Sequence, residues 1–343
     1  MLIGFSVGNY RSFKDVVTLS MVAAEDACGN DELDKNNVFK VNQQFSLLKS
    51  AAIYGANASG KSNLILAFNF MRRFVMNSAK LQITDKIDVE PFRLSTENVD
   101  KPSFFEVVFQ LKNKTYRYGF EVTQKRVVSE WLFCTPRSRE TKIFNRQGDK
   151  IEYSKNIEQG NILRGLTKKN TLFLSLAAQF NNSLAVEIVS WFSHLGVVSG
   201  LDVELLKAIT LEHLSNRQDL IDDVTKLIKK LDLSIDNLNL EIESRKISLD
   251  SLPQDLPDVV RNIISHSSGE IKSATIIKTY HPKYDSTGKM IELEIFDMDN
   301  HESDGTKKIL ALSAPILDTL QRGEVLVIDE LDARLHPLMT RNI

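Results

Sequence analysis

Cysteine is almost missing from this sequence. Cys28 and Cys134 are the only two in 343 residues. They stand alone and without metal-ligand spacing, which argues against a disulfide scaffold or a cysteine zinc site and suits a reducing compartment. An excess of positive charge is also lacking. Lys and Arg number 43 against 45 Asp and Glu, a formal net charge of −2, so no global basic balance points to nucleic acid, although a local patch stays open. No apolar run approaches the roughly 18 residues needed to span a bilayer. No basic stretch followed by an apolar one reads as a leader. The expectation is a cytoplasmic protein with no membrane partner. Internal repeats and low-complexity segments are absent. The six histidines are scattered, and neither an H-N-H arrangement nor an acidic cluster of metal-binding pattern suggests a nuclease site. What is present, 42% apolar and 26% charged residues, is the composition of a globular protein with room for one large domain or two ordinary ones.

The hydrophobic pattern predicts α/β architecture. Residues 2–7 and 16–21 read as strands joined by the turn Gly8–Asp15. Residues 22–45 are polar and read as a loop. An apolar strand is predicted over 47–54, and Leu64, Ala67, Phe68, Met71 and Phe74 recur at helical spacing, which predicts a helix over 61–78. From 90 to 155 alternating faces predict an antiparallel meander, with a hairpin turn at Lys112-Asn-Lys-Thr. From 158 to 265 helices are expected to dominate, most clearly on the stripe Leu220, Ile221, Val224, Leu227, Ile228 and Leu231. Strands return over 272–297. A helix is expected over Thr306–Leu320 and a buried strand over 324–328. The domains implied are 1–90 (first half of a core), 91–157 (β-subdomain), 158–270 (helical insertion) and 271–343 (second half of the core).

Three segments carry chemistry. Gly55, Ala56, Asn57, Ala58, Ser59, Gly60, Lys61 and Ser62 fit G-x-x-x-x-G-K-[ST], between an apolar strand and an amphipathic helix. Backbone amides of such a loop and of the helix N-terminus face phosphates. Glycine allows the close wrapping, Lys61 reaches the β- and γ-phosphates, and the Ser62 hydroxyl binds Mg2+. The second segment is Val325-Leu-Val-Ile-Asp329-Glu330. Four apolar residues suit a strand buried on both faces; Asp329 at its tip would hold Mg2+ and Glu330 would polarise an attacking water. The third is Glu302-Ser303-Asp304-Gly305-Thr306, just ahead of a helix that leads into the acidic strand. Locally Ser303 reads as an N-cap, and with Gly305 it makes a second anion-facing helix end. About 24 residues separate Gly305 from Asp329.

Ser-Asp-Gly-Thr followed by Val-Leu-Val-Ile-Asp-Glu-Leu-Asp-Ala-Arg-Leu-His-Pro resembles the signature, Walker B and D-loop of ABC-type P-loop ATPases. Within that class the chain is similar to the AAA-family ATP-binding proteins of bacterial abortive-infection and restriction-linked defence loci, relatives of the RecF, SMC and OLD families. Asn9-Tyr-Arg-Ser-Phe13, Pro91-Phe-Arg-Leu94, Tyr116-Arg-Tyr-Gly-Phe120 and Asn170-Thr-Leu-Phe-Leu-Ser175 agree with it. The resemblance implies an ABC-type head with an antiparallel β-subdomain and a helical insertion. It implies ATP and Mg2+ as ligands, Lys61 and Ser62 at the phosphates and metal, Asp329 and Glu330 as Walker B acid and catalytic base, and Ser303 and Gly305 closing on the ATP of a second subunit in a homodimer. A nuclease or toxin effector from the same locus is the implied partner. Arg11 is either a nucleotide contact or a surface arginine. Gln82 is the nearest candidate for a Q-loop, a role left open beside the Phe92-Arg93 region. His336 stands where the transporter pattern has aspartate. The alternative function is a RecF-like head clamping DNA, with Arg137, Arg139, Lys142, Lys168 and Lys169 as candidate basic positions.

In the resembling class a further strand follows Walker B and lies between the Walker A and Walker B strands. This sequence stops at Ile343. The expectation is therefore a C-terminally truncated core whose strands at 50–54 and 325–328 lack a neighbour, at about 1–3 kcal/mol for each unpaired buried group.

Overall fold

Alternation of buried and half-buried residues along residues 103–110, with Phe105, Val107 and Phe109 turned inward, builds the first layer of the fold. The computed structural model describes residues 1–24, 35–41, 45–137, 139–231, 234–245 and 272–342. Cys28 and the stretch 246–270 of the expected helical insertion lie outside them. The chain divides into two compact units, Met1–Val197 with Gly323–Asp329, and Val198–Arg322 with Glu330–Ile343.

In the first unit β1 (Leu2–Gly8) and β2 (Val17–Ser20) join β5 (Ser103–Leu111), β6 (Lys114–Val122), β7 (Val127–Thr135), β8 (Thr141–Gln147) and β9 (Lys150–Tyr153) in one seven-stranded antiparallel sheet, ordered β2-β1-β5-β6-β7-β8-β9. The expected hairpin and meander are thus one surface, sewn by β1 on β5. Lys112 and Asn113 turn β5 into β6 with φ of 48° and 60°, the positive angles a two-residue hairpin needs to match strand twist. Helix α1 (Lys61–Asn77) covers the sheet: Phe68 meets Phe5 edge-on at 4.9 Å and Phe74 meets Phe120 at 5.5 Å. Helices α2 (Gly160–Leu166), α3 (Phe173–Gln179) and α4 (Ser183–Ser193) follow, and on α4 Trp191 stacks on Phe109 at 4.0 Å. Burying each such ring contributes roughly 1.5–3 kcal/mol.

The strand expected over 47–54 is shorter than its apolar run. Only Ser46–Leu48 (β4) is extended, paired with β3 (Val38–Lys40), which itself falls where a loop was expected. Residues 49–59 have no regular structure and are exposed, Tyr54 to 88%. Among the described residues no strand lies beside 50–54, and an extended segment without a ladder partner has nothing to hold it as a strand. The expected strand at 324–328 forms as β14 (Val325–Asp329), paired with β10 (Leu195–Ser199); it is half-buried rather than fully buried.

The second unit holds α5 (Val203–Asn216), α6 (Gln218–Lys230), a three-stranded antiparallel sheet of β11 (Asn237–Arg245), β12 (Lys272–Tyr284) and β13 (Met290–Asp297), then α7 (Met298–His301), α8 (Asp304–Arg322) and α9 (Pro337–Asn342). The α6 stripe forms as its spacing predicts, with Leu220, Val224 and Ile228 buried beside Leu310 and Ala314 of α8. Two strands were missed among the helices. Leu195-Gly-Val-Val-Ser is a short apolar run that periodicity cannot assign. Asn237-Leu-Asn-Leu-Glu-Ile-Glu alternates with period two, a strand signal that its helical neighbours masked. Helix α8 runs through Pro315. Proline has no N–H for the carbonyl four residues back, that of Ala311; the Thr210 hydroxyl of α5 donates to this buried carbonyl at 2.6 Å.

Candidate functional site

The loop ahead of α1 is shaped by backbone angles that most residues avoid. Gly60 has φ of 99° and Ala58 of 64°; the first is a glycine's conformation and the second costs an L-residue about 1–2 kcal/mol. Ser59 N donates to Ala56 O at 3.1 Å, closing the loop on itself. The Lys61 ammonium curls back over it and donates to Gly55 O at 2.7 Å and Ala56 O at 3.0 Å. Gly60, the N-cap, offers no side-chain oxygen. The first amides of α1 are therefore left without a capping side chain, at the end where a helix carries partial positive charge. Residues 51–59 and Ser62 are open to solvent. The turn between β1 and β2 lies against the loop: Asn63 Nδ2 donates to Ser12 Oγ at 2.9 Å, and a Cβ at position 60 would come within 2.9 Å of that oxygen.

Asp329 ends β14, the strand against which α1 packs. Val325 and Val327 turn to the core of this unit. Among the described residues the Asp329 carboxylate has no hydrogen-bond or ion-pair partner, and neither does the Ser62 hydroxyl. Two free hard oxygens suit Mg2+, while uncapped amides, a lysine and an open cradle suit a polyphosphate. The residues present fit Mg2+ and a nucleotide. Arg11, by contrast, is already engaged: its Nε lies 2.9 Å from Glu90 Oε2.

The second unit assembles the other expected residues. Ser303 caps α8, accepting from Thr306 N at 3.1 Å. A Cβ on Gly305 would sit 3.2 Å from Arg334 O, so this helix end presses on the turn after the acidic strand. Glu330, which opens that turn, is exposed with φ of 51°. Lys308 of α8 is completely buried and donates to Glu330 O at 2.8 Å and Ala333 O at 2.6 Å. His336 caps α9, its Nδ1 accepting from Leu338 N at 3.3 Å. The structure thus groups residues 55–62 with Asp329 in one unit, and Ser303 and Gly305 with Glu330 in the other. Sequence reasoning missed Lys308, because a Lys-Lys pair on a helix reads as solvated surface.

Residues 50–343 match the family described as "AAA domain, putative AbiEii toxin, Type IV TA system". The chain belongs to this family. A search of curated proteins returned no match. Membership of this AAA family makes the protein one of the P-loop ATPase class and suggests ATP binding and hydrolysis. Outside the site, the segments that agree with the defence-locus resemblance hold this AAA chain together. Asn9 Nδ2 donates to Asn98 O and Lys101 O at 2.9 Å each, and its Oδ1 accepts from Phe92 N at 3.2 Å, binding the Asn9–Phe13 and Pro91–Leu94 segments. Asn170 Nδ2 donates to Gln82 O at 2.7 Å, and Ser175 Oγ to Val75 O at 2.5 Å. Of the basic positions, Lys142 is paired with Glu152 and Lys168 with Leu81 O. No helix among the described residues is long and apolar enough to cross a membrane.

Proposed function

We propose that this protein is an ABC-type head that binds and hydrolyses ATP with Mg2+, dimerises around the nucleotide in the cytoplasm and thereby switches a toxin or nuclease effector from its own locus. The observation that carries the reading is the loop at 55–62, left-handed at Gly60, uncapped at the start of α1, with the Lys61 ammonium folded over it. Bound Mg2+ would be held by Ser62 and Asp329 and would neutralise charge on the phosphates. Lys61 shifts from the loop carbonyls to phosphate oxygens, a stronger, charge-assisted partner. Gly55 to Gly60 supply amides, and Glu330 takes the role of polarising water. Ser303 and Gly305 present the α8 N-terminus to the nucleotide of a second copy. The family description, with its toxin and type IV toxin–antitoxin terms, supports an effector partner over a DNA clamp, as does the engagement of Lys142 and Lys168 by groups of their own chain.

Fluorescent-ATP binding in Mg2+, measured on this chain beside Lys61→Ala, tests the reading. Binding by the wild type and its loss in the variant are expected. Equal binding by both proteins, or none by either when both melt cooperatively, would overturn it. A steep fall of DNA affinity with salt on log–log axes would move the function to the DNA-clamping alternative.

A further inference from the structure

A lysine sealed from water, with no carboxylate on its ammonium among the described residues, needs a reason. Lysine is almost never fully buried, and withdrawing an ammonium from water is costly unless its donors are used. Lys308 is 0% exposed, and its two hydrogen bonds go to neutral carbonyls, Glu330 O at 2.8 Å and Ala333 O at 2.6 Å. Burial pulls its pKa below the ordinary lysine value, with Asp332 and Glu330 pulling the other way. Both carbonyls belong to the turn that carries Glu330. That residue sits at φ 51°, a left-handed angle that costs a non-glycine residue about 1–3 kcal/mol and persists only where the surroundings over-determine it. The surroundings here are few: Ala333 N donates back to Glu330 O at 3.3 Å, and Gly305 fits under Arg334 O, where a Cβ would lie 3.2 Å away. Arg334 and Asp304 approach only to 3.9 Å, both exposed. The two charge-assisted bonds from Lys308 are the strongest constraint on the turn.

We infer that Lys308 is a positioning residue for turnover: by gripping Glu330 O and Ala333 O it holds the Glu330 carboxylate in place and ties it to the helix end formed by Ser303 and Gly305. This rests on the reading of Glu330 as the group that polarises water. Lys308 lies three residues beyond Gly305 on the first turns of α8. Movement of the helix end that faces a second subunit's nucleotide is therefore transmitted to the turn bearing Glu330.

The test compares wild type with Lys308→Met, which keeps the unbranched apolar stem and loses the ammonium donors, and Lys308→Gln, which keeps an amide donor on a shorter side chain. Lys61→Ala serves as the control for binding. Expected is a kcat lowered about tenfold or more in Lys308→Met with ATP affinity and KM within about twofold, the signature of an interaction that matters in the transition state. Lys308→Gln should fall between the two. Amide exchange should quicken over 330–335 and stay unchanged along α1. A merely structural lysine would lower the melting temperature and leave kcat intact, which overturns the inference. Where Lys308→Met does not fold, Lys308→Gln decides on the same split: lowered kcat at wild-type ATP affinity supports the inference and wild-type kcat overturns it. Wild type without Lys61-dependent ATP binding fails the nucleotide reading, and the role in turnover falls with it; intact binding with equal kcat in all three proteins overturns the Lys308 inference alone.

Discussion

A methyl group at position 60 would meet the Ser12 hydroxyl at 2.9 Å on a backbone at φ 99°. Gly60→Ala therefore strains the loop twice. About 1–2 kcal/mol of left-handed penalty corresponds to roughly tenfold in affinity, so ATP binding should weaken by about tenfold or more, with a smaller change in melting temperature; isothermal titration beside calorimetry separates the two. Glu130 and Arg146 present a different residue-scale problem. They are 0% and 1% exposed and 3.8 Å apart. Glu130 accepts from Phe173 N at 2.6 Å and Leu174 N at 3.0 Å, capping α3 from strand β7. Arg146 donates to Thr171 O at 2.6 Å and Gly148 O at 2.8 Å. Removing one partner of a buried pair costs about 3–5 kcal/mol, so Arg146→Met should lower urea stability by that order. Burial pushes the Glu130 carboxyl up, and Arg146 opposes this. A raised carboxyl contributes stability below the ordinary carboxylate value and loses it as pH rises through the folded value. The Arg146→Met deficit should therefore grow with rising pH through that window and shrink in acid; a pH-independent deficit would contradict the assignment.

At the scale of elements, the proline in α8 and the threonine in α5 form one device. Sequence periodicity predicts the helix through Pro315 correctly, because the apolar stripe of α8 continues on both sides of it. What makes it tolerable is the Thr210 hydroxyl on the orphan Ala311 carbonyl. Thr210→Val is nearly isosteric but leaves that buried carbonyl unpaired, at about 1–3 kcal/mol. Chemical denaturation should show a loss of this size, and Thr210→Ser should restore most of it; equal stability of the valine and serine variants would refute the pairing. The β5–β6 hairpin was legible because alternation fixes register. Strand length at 47–54 was not, because an apolar run reports a wish for burial and says nothing of a partner strand.

At the scale of the whole molecule the proposed function needs two copies. Glu330 is exposed and its side chain makes no hydrogen bond or ion pair among the described residues, and its amide variant keeps the shape of the site. Glu330→Gln with Mg2+ and ATP should therefore accumulate as a dimer by light scattering. The same variant with ADP, and Lys61→Ala with ATP, should stay monomeric. A monomer under all three conditions would remove head-to-tail closure from the mechanism and leave ATP binding standing.

The sequence by itself determined the loop at 55–62, the acidic strand tip and the capped helix start, since each is a local pattern: a glycine at position 60 where φ turns positive, a lysine within reach of the loop, a serine three residues ahead of the amide it caps. It also determined the helix and strand periods over α1, α6, α8 and the meander. Only the tertiary structure decided that the N-terminal hairpin and the meander share one sheet, that Ser12 braces Gly60, and that Lys308 grips the turn of Glu330. Each of those joins residues distant in the chain, 22 positions apart for the Lys308–Glu330 bond and 51 for the Asn63–Ser12 bond. Such pairings depend on which surfaces meet, and a one-dimensional period carries no information about that.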